Sequence, residues 1–129
     1  MKLRILGDTL RLRLSQSDIA ELGESGRVED AIHFGPGASS ALTYAVELDD
    51  GVDAVAARYG DDRITVRLPT AVGRRWIEGS DVGISGQDAI DADRTLEVLI
   101  EKDFKCLAPR PGEEEYDGFP NPDADKATC

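Results

Sequence analysis

The stretch Ile64-Thr65-Val66-Arg67-Leu68-Pro69, followed by the segment from Thr70 to Ile84, decides how the chain is read. Ile64, Val66 and Leu68 alternate with Thr65 and Arg67, the period of two expected of a strand with one buried face. Pro69 is suited to open a helix, because its fixed φ is helical and its missing N–H costs nothing in a first turn. A short helix carrying Trp76 is therefore predicted after it, then a turn at Glu78-Gly79-Ser80-Asp81, then a second strand. The same arrangement occurs once before, at Leu10-Arg11-Leu12-Arg13-Leu14-Ser15 through Leu22 to Val28. A single offset of 54 positions places Leu10 on Ile64, Leu12 on Val66, Leu14 on Leu68, Val28 on Val82, Leu42 on Leu96 and Val46 on Ile100. One offset holding from the first strand to the last is the mark of duplication. The helix matches least well, with Ile19 on Gly73 and Leu22 on Trp76.

Outward from that core, Leu3 and Ile5 alternate with Lys2 and Arg4, and Gly7-Asp8 turns the chain into the strand at Leu10. Ser15-Gln16-Ser17-Asp18 offers N-cap side chains to a helix of two or three turns, too short to be held by propensity alone. Val28 to Phe34 reads as a strand ended by Gly35-Pro36-Gly37. Leu42, Tyr44, Val46 and Leu48 alternate cleanly until Asp49-Asp50-Gly51. Each module is thus strand, strand, helix, strand, strand. The expected fold is mainly β with two short helices (α+β), in a single domain over 1–129. Repeat 1 occupies 1–50, repeat 2 occupies 51–104 and a C-terminal arm occupies 105–129. One such unit exposes sheet edges and an apolar face, and pairing two buries both.

The order ββαββ, with Ile64 to Pro69, Trp76, Glu78-Gly79-Ser80-Asp81 and Val82 carrying the likeness, resembles the swapped-hairpin barrels of bacterial transition-state regulators and antitoxins. In those proteins two chains close the barrel. The resemblance implies that two halves of one chain do so here, as a pseudo-twofold tandem barrel. A regulator of that kind would grip DNA with basic residues, and the basic concentrations available are Arg11 and Arg13 with Arg67, Arg74 and Arg75. Against this, 15 basic and 26 acidic residues give a formal charge of -11. Affinity for a phosphate backbone rests on Lys and Arg, so neither nucleic acid nor an anionic membrane is expected as a partner. The sequence starts an alternating pattern at once, without an apolar leader, and holds no run near the roughly 20 apolar residues of a membrane helix. A cytoplasmic location is expected.

After Lys102 the composition changes. Four of the six prolines follow, with the run Glu113-Glu114-Glu115, and neither helix nor central strand suits them. Aromatics are uncommon in a disordered acidic tail, so Phe104, Tyr116 and Phe119 are expected to anchor an extended arm against the rest of the fold. Here the chain also resembles a family of small uncharacterised bacterial proteins, a domain of unknown function. The likeness lies in Glu101-Lys102-Asp103-Phe104-Lys105-Cys106-Leu107, Pro109-Arg110, the acidic run, Phe119-Pro120-Asn121-Pro122 and Cys129, with Leu10 to Leu14 and His33-Phe34-Gly35 near the front. The family brings no activity with it.

One histidine and two cysteines limit the available chemistry. His33, Cys106 and Cys129, with Glu114 or Asp117 as a fourth ligand, form a donor set suited to zinc in a closed, structural site that would pin the arm. No CxxC pair supports it, and the plainer readings are a buried Cys106, a mobile Cys129 and a loop-edge His33, or a Cys106–Cys129 disulfide. A thiol enzyme using Cys106 and His33 is the catalytic alternative, though no third, orienting group is evident. Phosphate-cradling loops are absent, and the paired carboxylates read as turn residues and solvated face. The functional expectation is a non-enzymatic binding or adaptor module for a protein or small-molecule partner. A small cysteine-dependent enzyme comes second and a DNA-binding regulator third.

Overall fold

Among the described residues the chain forms eight strands and two α-helices. The computed structural model describes residues 1–104 and 119–120. In chain order they are β1 (Lys2–Leu6), β2 (Thr9–Leu14), α1 (Gln16–Ser25), β3 (Arg27–His33), β4 (Ala41–Asp49), β5 (Ala56–Gly60), β6 (Arg63–Pro69), α2 (Thr70–Glu78), β7 (Gly83–Ala89) and β8 (Thr95–Lys102). The protein is an α+β protein dominated by sheet. Helix α1 starts at a capping box, in which Ser15 Oγ accepts from the Asp18 N–H and the Asp18 carboxylate accepts from the Ser15 N–H, and it stops at Gly26 in the left-handed region. Helix α2 begins at Pro69 with no side-chain cap and is held by Trp76, a buried side chain that faces the core.

The hairpins are exchanged between the halves. One sheet has the order β1-β2-β8-β7 and the other β3-β4-β6-β5, so each takes one hairpin from each repeat. The halves are sewn together by two parallel seams, β2 with β8 and β4 with β6. In the first, Leu10 stands opposite Val98, and in the second Tyr44 stands opposite Ile64, which is the same pair carried through the offset of 54. A pseudo-twofold axis therefore interchanges the sheets. Between them lies the core, with Leu12, Leu14, Val46, Val66, Leu68, Val98 and Ile100 fully buried, and Leu22 and Trp76 close it at the helix end.

Two sequence expectations need correction. Among the described residues no closed barrel forms, because β1 does not ladder with β3, nor β5 with β7. Side chains bridge the corners between them instead. The Asp88 carboxylate accepts from the Ala57 N–H at 2.9 Å, and Val55 lies so close to Gly86 that a Cβ there would fall 2.6 Å from its own. At the matching corner the Met1 amino group contacts Asp18 at 3.0 Å and Asp30 at 3.6 Å. The second correction concerns register. Val28 stands opposite Val46, but Ile100, the counterpart of Val46, stands opposite Ile84 rather than Val82. The connection from α2 to β7 is longer than its equivalent, which is Gly26 alone, and the register shifts by two, so Val82 falls outside the strand, 46% exposed, and its carbonyl accepts from the Lys102 N–H.

Candidate functional site

The pseudo-twofold gives the molecule two unlike ends. At one, α1 and α2 lie side by side, with Arg74 Nη1 donating to the Gly23 carbonyl at 2.9 Å. At the other, all four hairpin connections gather. The β1–β2 turn is set by Gly7 at φ +56, and the β5–β6 turn by Asp61 and Asp62, both at positive φ as a tight type I′ hairpin demands. The Asp62 and Asp8 carbonyls accept from the Thr43 and Glu97 N–H groups, which ties each turn to the neighbouring parallel strand.

Between the two turns opens a groove of about 220 Å³, lined by Ile5, Gly7, Asp8, Thr9, Leu10, Ala57, Arg58, Tyr59, Ile64 and Leu96. Ile5 and Tyr59 are equivalents under the offset of 54, as are Leu10 and Ile64, so the groove straddles the axis. Its walls are mainly apolar and its rim carries exposed apolar side chains, Ile5 at 61% and Tyr59 at 73%. Leu6 and Phe34, at 74% and 75%, extend the apolar surface of this end.

The outer faces of the sheets differ in charge. On the β3-β4-β6-β5 sheet three of the four arginines are matched, Arg58 having no ion pair among the described residues: Arg27 holds Glu29 and Glu47, Arg63 reaches Glu29 at 3.0 Å, and Arg67 binds Glu47 at 2.8 Å and Asp49 at 3.6 Å. Hydrogen bonding from Arg27, reinforced by the charges of Arg27 and Arg63, holds the Glu29 carboxyl below its usual range despite some desolvation. On the other sheet, cross-strand register sets Lys2 opposite Arg13 and Arg4 opposite Arg11. Arg11 binds Glu101 at 2.9 Å and Lys2 binds Asp103 at 3.1 Å, whereas Arg4 and Arg13 have no ion pair among the described residues.

At the helix end, Lys102 is 6% exposed, and its Nζ donates to the Gly79 carbonyl at 2.7 Å. That carbonyl belongs to the C-cap of α2, where a cation is favoured. The ammonium also lies 5.8 Å from the centre of the Trp76 ring and 5.5 Å from that of Phe119. Burial pushes the Lys102 pKa down, and the nearby Asp81 charge opposes the shift. Phe119 donates its N–H to the Asp103 carbonyl at 2.7 Å, bridges to Phe104 and packs edge-on against that ring at 5.8 Å between centres. The Trp76 Nε1–H, also buried here, has no hydrogen-bond partner among the described residues.

Of the expected metal ligands, His33 lies exposed at the end of β3, at the loop end. Cys106, Cys129, Glu114 and Asp117 lie outside the described residues, as does Tyr116. Among the described residues no cluster of three or more His, Cys, Asp or Glu side chains is placed to hold a metal ion. No described helix is long and apolar enough to cross a membrane. Sequence reasoning missed the groove, because Ile5, Leu10, Tyr59 and Ile64 follow the same alternation as core residues. It missed Lys102 as well, although the offset of 54 puts this lysine on Leu48, an apolar position.

These features define an α+β protein of two four-stranded sheets with exchanged hairpins, an axial groove at one end and paired helices at the other. Over residues 1–123 the chain matches the model of a family described as a family of unknown function, DUF7009, and it belongs to that family. No curated protein and no solved structure matches it.

Proposed function

We propose that the protein is a non-enzymatic binding module and that the axial groove is where it takes hold of an apolar group of its ligand. One observation carries the reading: the concave feature between the hairpin turns is walled by Ile5, Leu10, Ala57, Tyr59, Ile64 and Leu96, with only Asp8, Thr9 and Arg58 as polar side chains at it. Binding sites are typically concave and apolar, with a few polar groups that fix orientation. At about 220 Å³ the groove suits a single ring or a branched aliphatic side chain rather than an extended cofactor. A partner protein inserting one such side chain, or a small apolar molecule, fits these dimensions.

The test uses the fluorescent apolar probe anilinonaphthalene sulfonate and the native, full-length chain. Saturable binding at one site is expected, and Tyr59→Asp, which puts a carboxylate at the groove mouth, weakens it about tenfold, equivalent to about 1.4 kcal/mol. Val82→Asp, an exposed substitution away from the groove, leaves it unchanged. Equal binding by the wild-type protein and the Tyr59→Asp variant, or no saturable binding at all, overturns the reading.

A further inference from the structure

The two outer strands β1 and β5 are equivalents under the pseudo-twofold, yet their free edges are treated differently. In a two-residue hairpin the closing pair exchanges both hydrogen bonds and the bonded pairs then alternate. Leu6 and Thr9 close the β1–β2 hairpin, so the N–H and C=O groups of Leu3 and Ile5 point away from β2. On β5 the counterpart of the Leu3 N–H is that of Ala57, and the Asp88 carboxylate caps it at 2.9 Å. The β3 residue equivalent to Asp88 is Ile32, which cannot accept a hydrogen bond and is 47% exposed. Among the described residues nothing pairs with the outward amides of Leu3 and Ile5. Among the described residues the β5 edge is capped at Ala57, while the matching position on β1, Leu3, is open.

The charge on the same hairpin is one-sided. Lys2, Arg4, Arg11 and Arg13 share its outer face, in two rows where like charges stand directly opposite each other. Like-charged cross-strand pairs destabilise a sheet. The equivalent positions in the other half are Ala56, Arg58, Thr65 and Arg67, and Arg67 is neutralised by Glu47 and Asp49. Basic residues on an edge strand ordinarily keep it from aggregating. That accounts for Lys2 and Arg4, but β2 is an inner strand and needs no such protection. Glu101 holds Arg11 and Asp103 holds Lys2, but Arg4 and Arg13 have no ion pair among the described residues and are left facing outward in a chain of formal charge -11.

We propose that β1 is a receptor edge to which an extended acidic segment of a partner protein adds as a further strand. The segment's backbone pairs with the outward groups of Leu3 and Ile5. Its outward side chains are acidic and meet Arg4 and the neighbouring Arg11 and Arg13, while its inward side chains are apolar and lie against Ile5 and Ile32. Strand addition of this kind takes affinity from main-chain hydrogen bonds and specificity from alternate side chains. A second copy of this chain is a poor occupant, since pairing β1 with β1 would bring Lys2 and Arg4 against themselves. Nucleic acid would answer the charge but not the apolar inner positions or the strand edge. The inference rests on the reading of the protein as a binding module but, Ile5 apart, on residues outside the groove.

A synthetic peptide with strictly alternating Glu and Val, titrated into isotopically labelled full-length protein, tests it. A peptide of the same composition with Glu and Val in separate blocks and a short oligothymidylate are the controls. The alternating peptide is expected to shift the amide resonances of Leu3 and Ile5, slow their hydrogen exchange, and bind at least about tenfold more tightly than either control. Arg4→Glu weakens the alternating peptide about tenfold, and an alternating Lys and Val peptide recovers binding to that variant. Equal binding by the blocked peptide or the oligonucleotide, shifts that bypass β1, or no binding overturns the proposal. If the alternating peptide fails while the fluorescent probe still binds in the groove, the edge proposal falls and the binding-module reading stands. Failure of both removes both.

Discussion

Lys102 shows how much a single side chain can depart from the pattern around it. It occupies the place that Leu48 holds in the first half, and it carries a charge into a nearly closed space. The Gly79 carbonyl and the rings of Trp76 and Phe119 compensate the lost hydration, but burial still depresses its pKa from the ordinary 10.5. Because the folded protein gives up this proton at a lower pH than the unfolded chain does, the unfolded chain binds more protons in the interval just below 10.5. The contribution of Lys102 to stability must therefore rise with pH across that interval and level off above it. Tyr44 acts in the opposite sense. Burial, with the charges of Asp30 and Asp18, raises its phenol above the ordinary 10.0. Its contribution is complete below pH 10.0 and is lost as pH climbs through the raised value. Urea unfolding followed between pH 8 and 11 should show a rise and then a fall, the rise missing in Lys102→Met and the fall missing in Tyr44→Phe. A wild-type profile parallel to that of Lys102→Met would show that the ammonium is not desolvated.

Strands were far more legible in the sequence than their pairing. Period-two alternation in Leu10 to Leu14, Leu42 to Leu48 and Ile64 to Leu68 marks buried faces directly, and each becomes a strand with those residues turned inward. The register of β7 was not legible for a related reason. A slip of two residues keeps every side chain on its own face, so Val82 and Ile84 satisfy the pattern equally well. Only the longer connection after α2 decides between them. The absence of barrel closure was hidden too, since it depends on Asp88, Gly86 and Val55 meeting across a corner rather than on any strand pattern. Helix α1 was readable from its cap, and its capping box forms as Ser15 and Asp18 allow. Of the site, the basic hairpin could be read residue by residue, but its like-charged rows emerge only once the register is known. Register makes a quantitative expectation. Val28→Ala opens a cavity beside Val46 and should cost about 2–3 kcal/mol, whereas Val82→Ala should stay within about 0.5 kcal/mol. Chemical denaturation of the two variants checks it, and a large loss at Val82 would contradict the shifted register.

Across the whole molecule, neither repeat owns a complete sheet. Within repeat 1 the hairpins β1–β2 and β3–β4 never pair with each other, and each finds its inner neighbour only in repeat 2, through β2 with β8 and β4 with β6. An isolated two-stranded hairpin is marginal in water, so a separated half would hold two such hairpins and one short helix that lacks its partner. The halves also differ where they should match if each were to pair with itself. Leu48 needs the space above Gly73, where a Cβ would come within 2.3 Å of its Cδ2, while the equivalent lysine, Lys102, reaches instead to the end of α2. Two copies of one half would thus set Leu48 against Ile19, or Lys102 against Gly73, rather than the combinations the chain uses. The consequence is complementation. Residues 1–50 and 51–129, produced separately, should each lack a cooperative unfolding transition, and mixing them in equal amounts should restore both the sheet signal in circular dichroism and the emission of a buried Trp76. Because the β2–β8 seam joins segments from opposite ends of the sequence, the intact chain should in turn fold slowly for its size. Either fragment unfolding cooperatively alone as a monomer would show that the exchanged hairpins are not what holds the fold together.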